Sequence, residues 1–387
     1  MQLLPRFEGG GVERTAMDVA RWLVREGWRS VVVSAGGRLE RELAGSGVHH
    51  VTLPVASKNP LVMALNVGRI ARVARRFGVE VIHAHSRAPA WSGAFAARRT
   101  GAAFMTSFHG VYRGHQRRFK RRYNAIMTAG DRVIAVSEHV AEHVAATYRV
   151  EPERIRIVHP GVDLQEFDPA RVRGHRIAPL ADKWHLGFGQ KVVMLPGRVT
   201  RIKGHLLLLR AMAQMARDDF LAVIVGPMDQ EGSYLREIEK AIRAAGLGER
   251  VRFGGDCADM PAALMLADVV ALPAIGPEAF GRVVVEAQAM GRPVVVTDMG
   301  ALAEAMQPAA TGWLVRPDDP GELAWALDLA LSLEGDVKAR LAERARAFAA
   351  DSFAAERSCA RTAAIYRELV RRAPAPAAVP EPEPQPG

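Results

Sequence analysis

Glu278 and Glu286 stand eight residues apart in a run that begins Pro277-Glu278-Ala279-Phe280-Gly281-Arg282 and ends at Gly291-Arg292-Pro293. Pro277 and Gly281 predict a loop around Glu278. Arg282 to Met290 has helical composition, with Gly291 as its stop and Pro293 beyond. Glu286 then sits one turn into a helix. The free amides at the start of such a helix, with the dipole behind them, attract phosphate, and Gly281 lets the backbone come close to a ligand. Ionised carboxylates beside it accept hydrogen bonds from the vicinal hydroxyls of a ribose or a sugar. The combination suits a nucleoside diphosphate sugar. The plainer alternative makes Glu278 an N-cap and Glu286 a partner of Arg282 at i to i+4.

A second cluster, Pro196-Gly197-Arg198-Val199-Thr200-Arg201-Ile202-Lys203-Gly204, joins flexible glycines to three cations. Arg supplies a planar fork and Lys a compact charge, and together they can neutralise a departing diphosphate without a metal. As a lone basic loop it would read as solvated surface. His109, between Phe108 and Gly110 at a strand end, is a candidate for a role in a cleft. His83, His85 and His159 read as structural. No His/Cys/Glu cluster has metal-ligand spacing and no Asp-x-Asp triplet is present, so no metal or other cofactor is expected.

These residues need elements to hold them. Apolar β-branched runs at Ser30 to Ser34, Val79 to His83, Phe104 to Ser107 and Arg132 to Val136 read as strands. Helical segments Val12 to Arg25, Leu61 to Phe77 and Glu138 to Tyr148 fall among them. A second series has strands at Val192 to Leu195, Leu221 to Val225, Val251 to Phe253, Val269 to Leu272 and Val294 to Thr297, with helices such as Leu206 to Met215 and Tyr234 to Ala245. This α/β alternation predicts two doubly wound parallel sheets facing a central cleft, with ligands at the carboxyl ends of the strands. The expected domains are 1–168 and 169–352, with Asp168 to Gly189 as an irregular connection and a last helix at Phe353 to Arg372. Residues 373–387 form an Ala/Pro/Glu tail without core-forming side chains, expected to be disordered. Only four residues precede Pro5, so the first strand of the N-terminal sheet is nearly missing; a late start of the sequence and an abbreviated strand are both open, as is the placement of Gly9 to Gly11.

The chain has 387 residues, enough for two cores, and no apolar run long enough to span a bilayer. The absence of a secretory-type start and the presence of only two cysteines point to the cytoplasm. The formal charge is +10, and residues 1–168 carry all of it, with 25 Lys/Arg against 15 Asp/Glu. The densest run, Arg113 to Arg122, contains Arg117, Arg118, Lys120, Arg121 and Arg122. It lacks aromatic interleaving and any zinc or RNP-type pattern, which argues against nucleic acid as a partner. An anionic membrane surface, a solvated helix face and phosphates on a soluble acceptor are the alternative readings for it.

Taken with Gly9-Gly10-Gly11-Val12-Glu13-Arg14, Phe108-His109-Gly110, Ala135-Val136-Ser137 and Pro160-Gly161-Val162-Asp163, the two clusters occur in the order found in one family. The chain resembles a retaining GT4-family glycosyltransferase of GT-B fold, of the bacterial cell-surface glycan or lipopolysaccharide type. The resemblance implies that Arg198 and Lys203, with Gly197 and Arg282 nearby, hold the diphosphate, and that Glu286 takes the ribose hydroxyls. It further implies that Glu278 meets the transferred sugar together with the Phe280 and Gly281 amides. His109 would approach the sugar from the N-terminal domain, Gly10 and Gly11 would face the phosphates or the acceptor, and the last helix would cross back to the N-terminal domain. The partners expected are a nucleotide sugar and a saccharide or glycolipid acceptor. The rival readings are a nucleotide-sugar epimerase of the same fold and a catalytically silent nucleotide-sugar binder. A dehydrogenase is disfavoured because no Gly-x-Gly-x-x-Gly follows either first strand.

Overall fold

The computed structural model describes residues 1–112, 118–230 and 232–372. Its N-terminal sheet contains β1 (Gln2–Leu3), β2 (Val31–Ser34), β3 (His49–Thr52), β4 (Val81–Ala84), β5 (Ala103–Phe108), β6 (Arg132–Ala135) and β7 (Ile155–Ile157). All pairs are parallel, in the order β3-β2-β1-β4-β5-β6-β7. The second sheet contains β8 (Lys191–Pro196), β9 (Phe220–Val225), β10 (Val251–Gly255), β11 (Val269–Leu272), β12 (Val294–Thr297) and β13 (Gly312–Val315). It is also wholly parallel, in the order β10-β9-β8-β11-β12-β13. Two Rossmann-like doubly wound sheets result. In each the strand order reverses between the first strand and the fourth of its series, β1 beside β4 and β8 beside β11, and connections that diverge there leave a crevice at the carboxyl ends.

Central strands such as β8, β9 and β12 are buried on both faces, which explains their unbroken Val, Leu and Ile content. The abbreviated first strand is real and central. β1 has two residues, yet it pairs with β2 on one side and β4 on the other, and backbone bonds from Met1 to Leu4 continue the ladder. It therefore delivers Pro5 to Gly10 to the carboxyl end of the sheet. β3 escapes periodicity because it is a partly exposed edge strand, His49-His50-Val51-Thr52.

The expected irregular connection is corrected by the structure, which places a helix at Gly174–Lys183 within it. That helix packs on the helix Met260–Leu266. Arg176 grips Asp259 through two hydrogen bonds of 2.8 and 2.7 Å, and Trp184 is buried and donates to the Gly254 carbonyl. A proline at 179 and a short length mask its period. The chain crosses between sheets at Gly161–Val162 and returns at Phe353–Ala355. The two crossings are bonded to each other, Val162 N to Phe353 O at 2.8 Å and Ala355 N to Val162 O at 2.9 Å. A side chain at Gly161 would strike the Ala355 backbone at 2.4 Å. Beyond this point the last helix, Ala355–Arg372, packs on the first, Gly11–Arg25, and on β4.

Candidate active site

Between the two sheets lies a cleft of about 760 Å³, lined by carboxyl-end loops of both. From the second sheet, β8 ends at Pro196 and the chain turns through Gly197 (φ 131°) into a short 3-10 turn, Arg201–Lys203. Gly204 closes that turn at φ 73°, where a Cβ would lie 1.6 Å from the Pro273 carbonyl oxygen. No other residue fits there. Arg198 lines the cleft and is exposed, and no carboxylate pairs with it among the described residues. Lys203 forms an ion pair of 2.8 Å with Glu278, and both side chains are mostly shielded.

Glu278 sits in the loop after β11, pinned from behind. It bridges to Gly300, and the Ala301 amide donates to its carbonyl at 2.9 Å. Gly281 (φ 81°) then starts the helix Arg282–Ala289 without any side-chain cap, which leaves the first amides of the helix free toward the cleft. Glu278 is thus not the N-cap of the plainer reading. The other half of that reading is present: Arg282 Nε donates to Glu286 at 2.9 Å. The same guanidinium crosses the cleft to Thr15 Oγ1 (3.4 Å) and Asp18 (3.9 Å) on the helix Gly11–Arg25. Burial raises the Asp18 carboxyl above its usual range, with Arg282 opposing. Glu286 itself is buried beside Glu166, a cleft residue that burial also pushes up.

The N-terminal sheet contributes His109, at the end of β5, and the glycine loop. His109 lines the cleft, and burial lowers its pKa to about 4, so the ring is neutral near pH 7. Its Nε2 lies 2.9 Å from His85 Nδ1. Of the glycines, Gly11 lines the cleft at the start of the helix, as does Gly9. Gly10, between them, is the exposed N-cap residue of that helix. Gly197 lies against the Lys203 stem, where a Cβ would meet Cε at 3.2 Å. The Phe280 ring is buried against His159 and Phe353, so only its backbone is offered to a ligand.

Arg118, Lys120, Arg121 and Arg122 lie exposed on the helix Arg118–Asn124, while Arg117 falls outside the described residues. No group of three or more His, Cys, Asp or Glu side chains among the described residues could hold a metal ion. Sequence reasoning missed Thr15, Arg38 and Glu166 in the lining of the cleft, and Asp18 beside Arg282. It missed Glu304 too, which reaches from the second domain to accept bonds from the Glu138 and His139 amides at 2.7 and 2.9 Å. None of these has a local sequence signature.

The description Glycosyltransferase Family 4 matches residues 9–166, and Glycosyl transferases group 1 matches residues 181–348. A solved glycosyltransferase from Rickettsia africae is 31% identical, with a TM-score of 0.87, over 96% of this chain and 98% of that one. Anabaena HepE, solved with UDP and glucose, shares the fold at 24% identity and a TM-score of 0.80, over 95% of this chain and 98% of that one. The D-inositol 3-phosphate glycosyltransferase 1 of Catenulispora acidiphila is 32% identical over 63% of this chain and 62% of its own length. The corresponding Mycobacterium tuberculosis protein is 34% identical over 63% of this chain and 50% of its own length. The match therefore spans only half to three-fifths of these curated relatives. With both halves matched in register, and a relative above 30% identity aligned over nearly its whole length, the chain belongs to the GT4-family glycosyltransferases of GT-B fold.

Proposed function

We propose that this transferase moves a hexosyl group from a nucleotide sugar to a hydroxyl acceptor with retention of configuration, in cell-surface glycan or lipopolysaccharide synthesis. The carrying observation is that one cleft is lined by Arg198, without a carboxylate partner among the described residues, by the uncapped helix start at Gly281 and by Glu286 one turn further along that helix. A diphosphate meets cation and helix dipole there, and a ribose meets the buried carboxylate. UDP is the favoured carrier, because the Anabaena neighbour was solved with UDP and glucose. On binding, Lys203 exchanges Glu278 for the diphosphate, which frees Glu278 for sugar hydroxyls. As the sugar–phosphate bond breaks, Arg198 and Lys203 stabilise the growing charge. The departing phosphate oxygen takes the acceptor proton on the same face of the sugar, so no carboxylate nucleophile is assigned.

The acceptor is proposed to be a lipid-linked saccharide taken from the anionic inner face of the cytoplasmic membrane, with the enzyme peripheral to it. No helix among the described residues is long and apolar enough to cross a bilayer. Between Glu42 and Asp131 the chain carries 14 Lys/Arg and a single acid, Glu80. The helices Pro60–Phe77 and Arg87–Thr100 lie side by side in this stretch, with Arg118–Asn124 adjoining through the 3-10 turn Ala125–Thr128, and Leu61, Leu65, Phe95 and Phe119 are exposed on them. Each cation near an anionic leaflet contributes about 1 kcal/mol. A phosphorylated polyol is the second reading, favoured by the names of the curated relatives.

A thermal-shift panel of UDP, GDP and ADP sugars tests the donor. A ligand at 100 times its Kd stabilises by about 2.7 kcal/mol, and no shift with any nucleotide sugar would remove the proposal. Sedimentation with anionic vesicles at low salt, and release at high salt, is the outcome expected for the glycolipid reading. Equal or absent binding to neutral and anionic vesicles, with transfer to inositol phosphate, would replace it with the second.

A further inference from the structure

Behind His109 a line of side chains runs away from the cleft into the N-terminal sheet. Gln2 Nε2 lies 2.9 Å from the Ala16 carbonyl oxygen, which can only accept, so the amide nitrogen must face it. Gln2 Oε1 is thereby turned toward His85 Nε2, 2.9 Å away. An amide oxygen can only accept as well, so His85 Nε2 carries a proton. His85 is buried, with the His83 ring at 4.0 Å between centroids, and that burial disfavours a second proton on the ring. Its Nδ1 is then a bare lone pair, and His109 Nε2 must donate to it across the 2.9 Å contact. His83 is held separately by Ser107 Oγ and the Tyr366 hydroxyl, both at 2.7 Å, so it does not compete for His85.

We infer that Gln2 and His85 are positioning residues that lock His109 in its Nε2–H tautomer, so that His109 Nδ1 is left as a hydrogen-bond acceptor for a sugar hydroxyl in the cleft. No described residue bonds to Nδ1. A lone pair there repels phosphate oxygen and selects a hydroxyl, which separates the role of His109 from that of Arg198 and Lys203. The anchor is the two-residue strand β1: its first residue, Gln2, lies between β2 and β4 and bonds to both Ala16 and His85. The identity of the hydroxyl rests on the nucleotide-sugar reading; the tautomer does not.

The test combines long-range nitrogen–proton NMR on histidine-labelled protein with kinetics, using His109→Asn to assign the His109 signals. The wild type is expected to show His109 protonated at Nε2 and bare at Nδ1. His85→Gln presents an amide donor to Gln2 and an amide oxygen to His109, so it should keep that tautomer and stay within about threefold of the wild-type kcat. His85→Met offers His109 no acceptor. It should mix the tautomers and lower kcat roughly tenfold at unchanged donor KM, the equivalent of one hydrogen bond. A proton on His109 Nδ1 in the wild type, or equal effects of His85→Gln and His85→Met on spectrum and kcat, would overturn the inference. Failure of the nucleotide-sugar reading would appear instead as a wild type that binds no donor, with the tautomer spectrum still readable.

Discussion

Lys203 and Glu278 hold each other on the second-sheet wall of the cleft while Arg198 has no carboxylate partner among the described residues, and this asymmetry predicts how their removal differs. Arg198→Ala removes one preorganised group and is expected to lower kcat by about 10² to 10³. Lys203→Ala should cost as much and should also leave Glu278 without its cation, so donor KM rises as well. Glu286→Ala acts mainly on donor affinity. Retention of more than about a tenth of kcat in both cation variants would contradict these roles, and abolition of activity by EDTA with rescue by Mn²⁺ would mean that a metal supplies the charge instead. The buried histidines set a pH window. Burial lowers His109 and His205 to about 4 and holds His83 and His85 well below the usual 6.5. The unfolded chain therefore binds more protons than the native one between pH 4 and 6.5, and stability falls as pH drops through that range, by about 1.4 kcal/mol per pH unit for each such histidine. Urea unfolding at pH 7.5, 6.5 and 5.5 checks the sign: flat stability from 7.5 to 6.5, then a decline, made shallower by His205→Gln.

At the scale of elements, the positions of the two carboxylates depend on glycines that let loops lie back to back. Gly300 has φ 67°, and a Cβ there would meet the Glu278 carbonyl oxygen at 2.4 Å and its amide nitrogen at 2.6 Å. Gly300→Ala should push the Glu278 loop into the cleft while leaving β12 and the helix Arg282–Ala289 in place. A displacement near 1 Å is expected to lower kcat about 10²-fold, with far-UV circular dichroism unchanged and only a modest loss of Tm. Wild-type kcat in this variant would show that the loop tolerates the shift and that Glu278 is not held by Gly300. The helix after Gly281 was readable from its stop signals, Gly291 and Pro293. The helix Gly174–Lys183 was not, because its exposed face and Pro179 leave no clean period, and tertiary contacts through Arg176 and Trp184 hold it.

For the whole molecule, the Glu304 carboxylate is a latch between domains. It caps the helix Glu138–Tyr148 of the other domain through two backbone amides and contacts His159, whose ring stacks on Phe280 and packs edge-on against Phe353 at the second crossing. Hydrogen bonds to a charged group contribute about 1.5 to 3 kcal/mol each, enough to favour the observed arrangement in which His109, Glu278 and Arg198 line one cleft. Glu304→Ala is expected to increase the radius of gyration by small-angle scattering and to weaken donor affinity roughly tenfold, since part of that bias is then taken from ligand binding. An unchanged radius and affinity would show that the domains are held by the hinge alone.

The local record in the chain was enough for the two parallel sheets, the cleft at their carboxyl ends, the Glu278 and Glu286 spacing and the cation loop. Strand and helix periods, glycine stops and the sign of a side chain's charge are properties of neighbouring residues. Tertiary structure decided what is not local. It made two residues, Gln2 and Leu3, a central strand because β2 and β4 flank them, and it set Gln2 against His85 across 83 positions. It carried Arg282 over to Thr15, 267 positions away, and Glu304 to the Glu138 amide, 166 positions away. The last two contacts depend on the angle and separation of two independently wound sheets, and no residue period within either sheet encodes that relation.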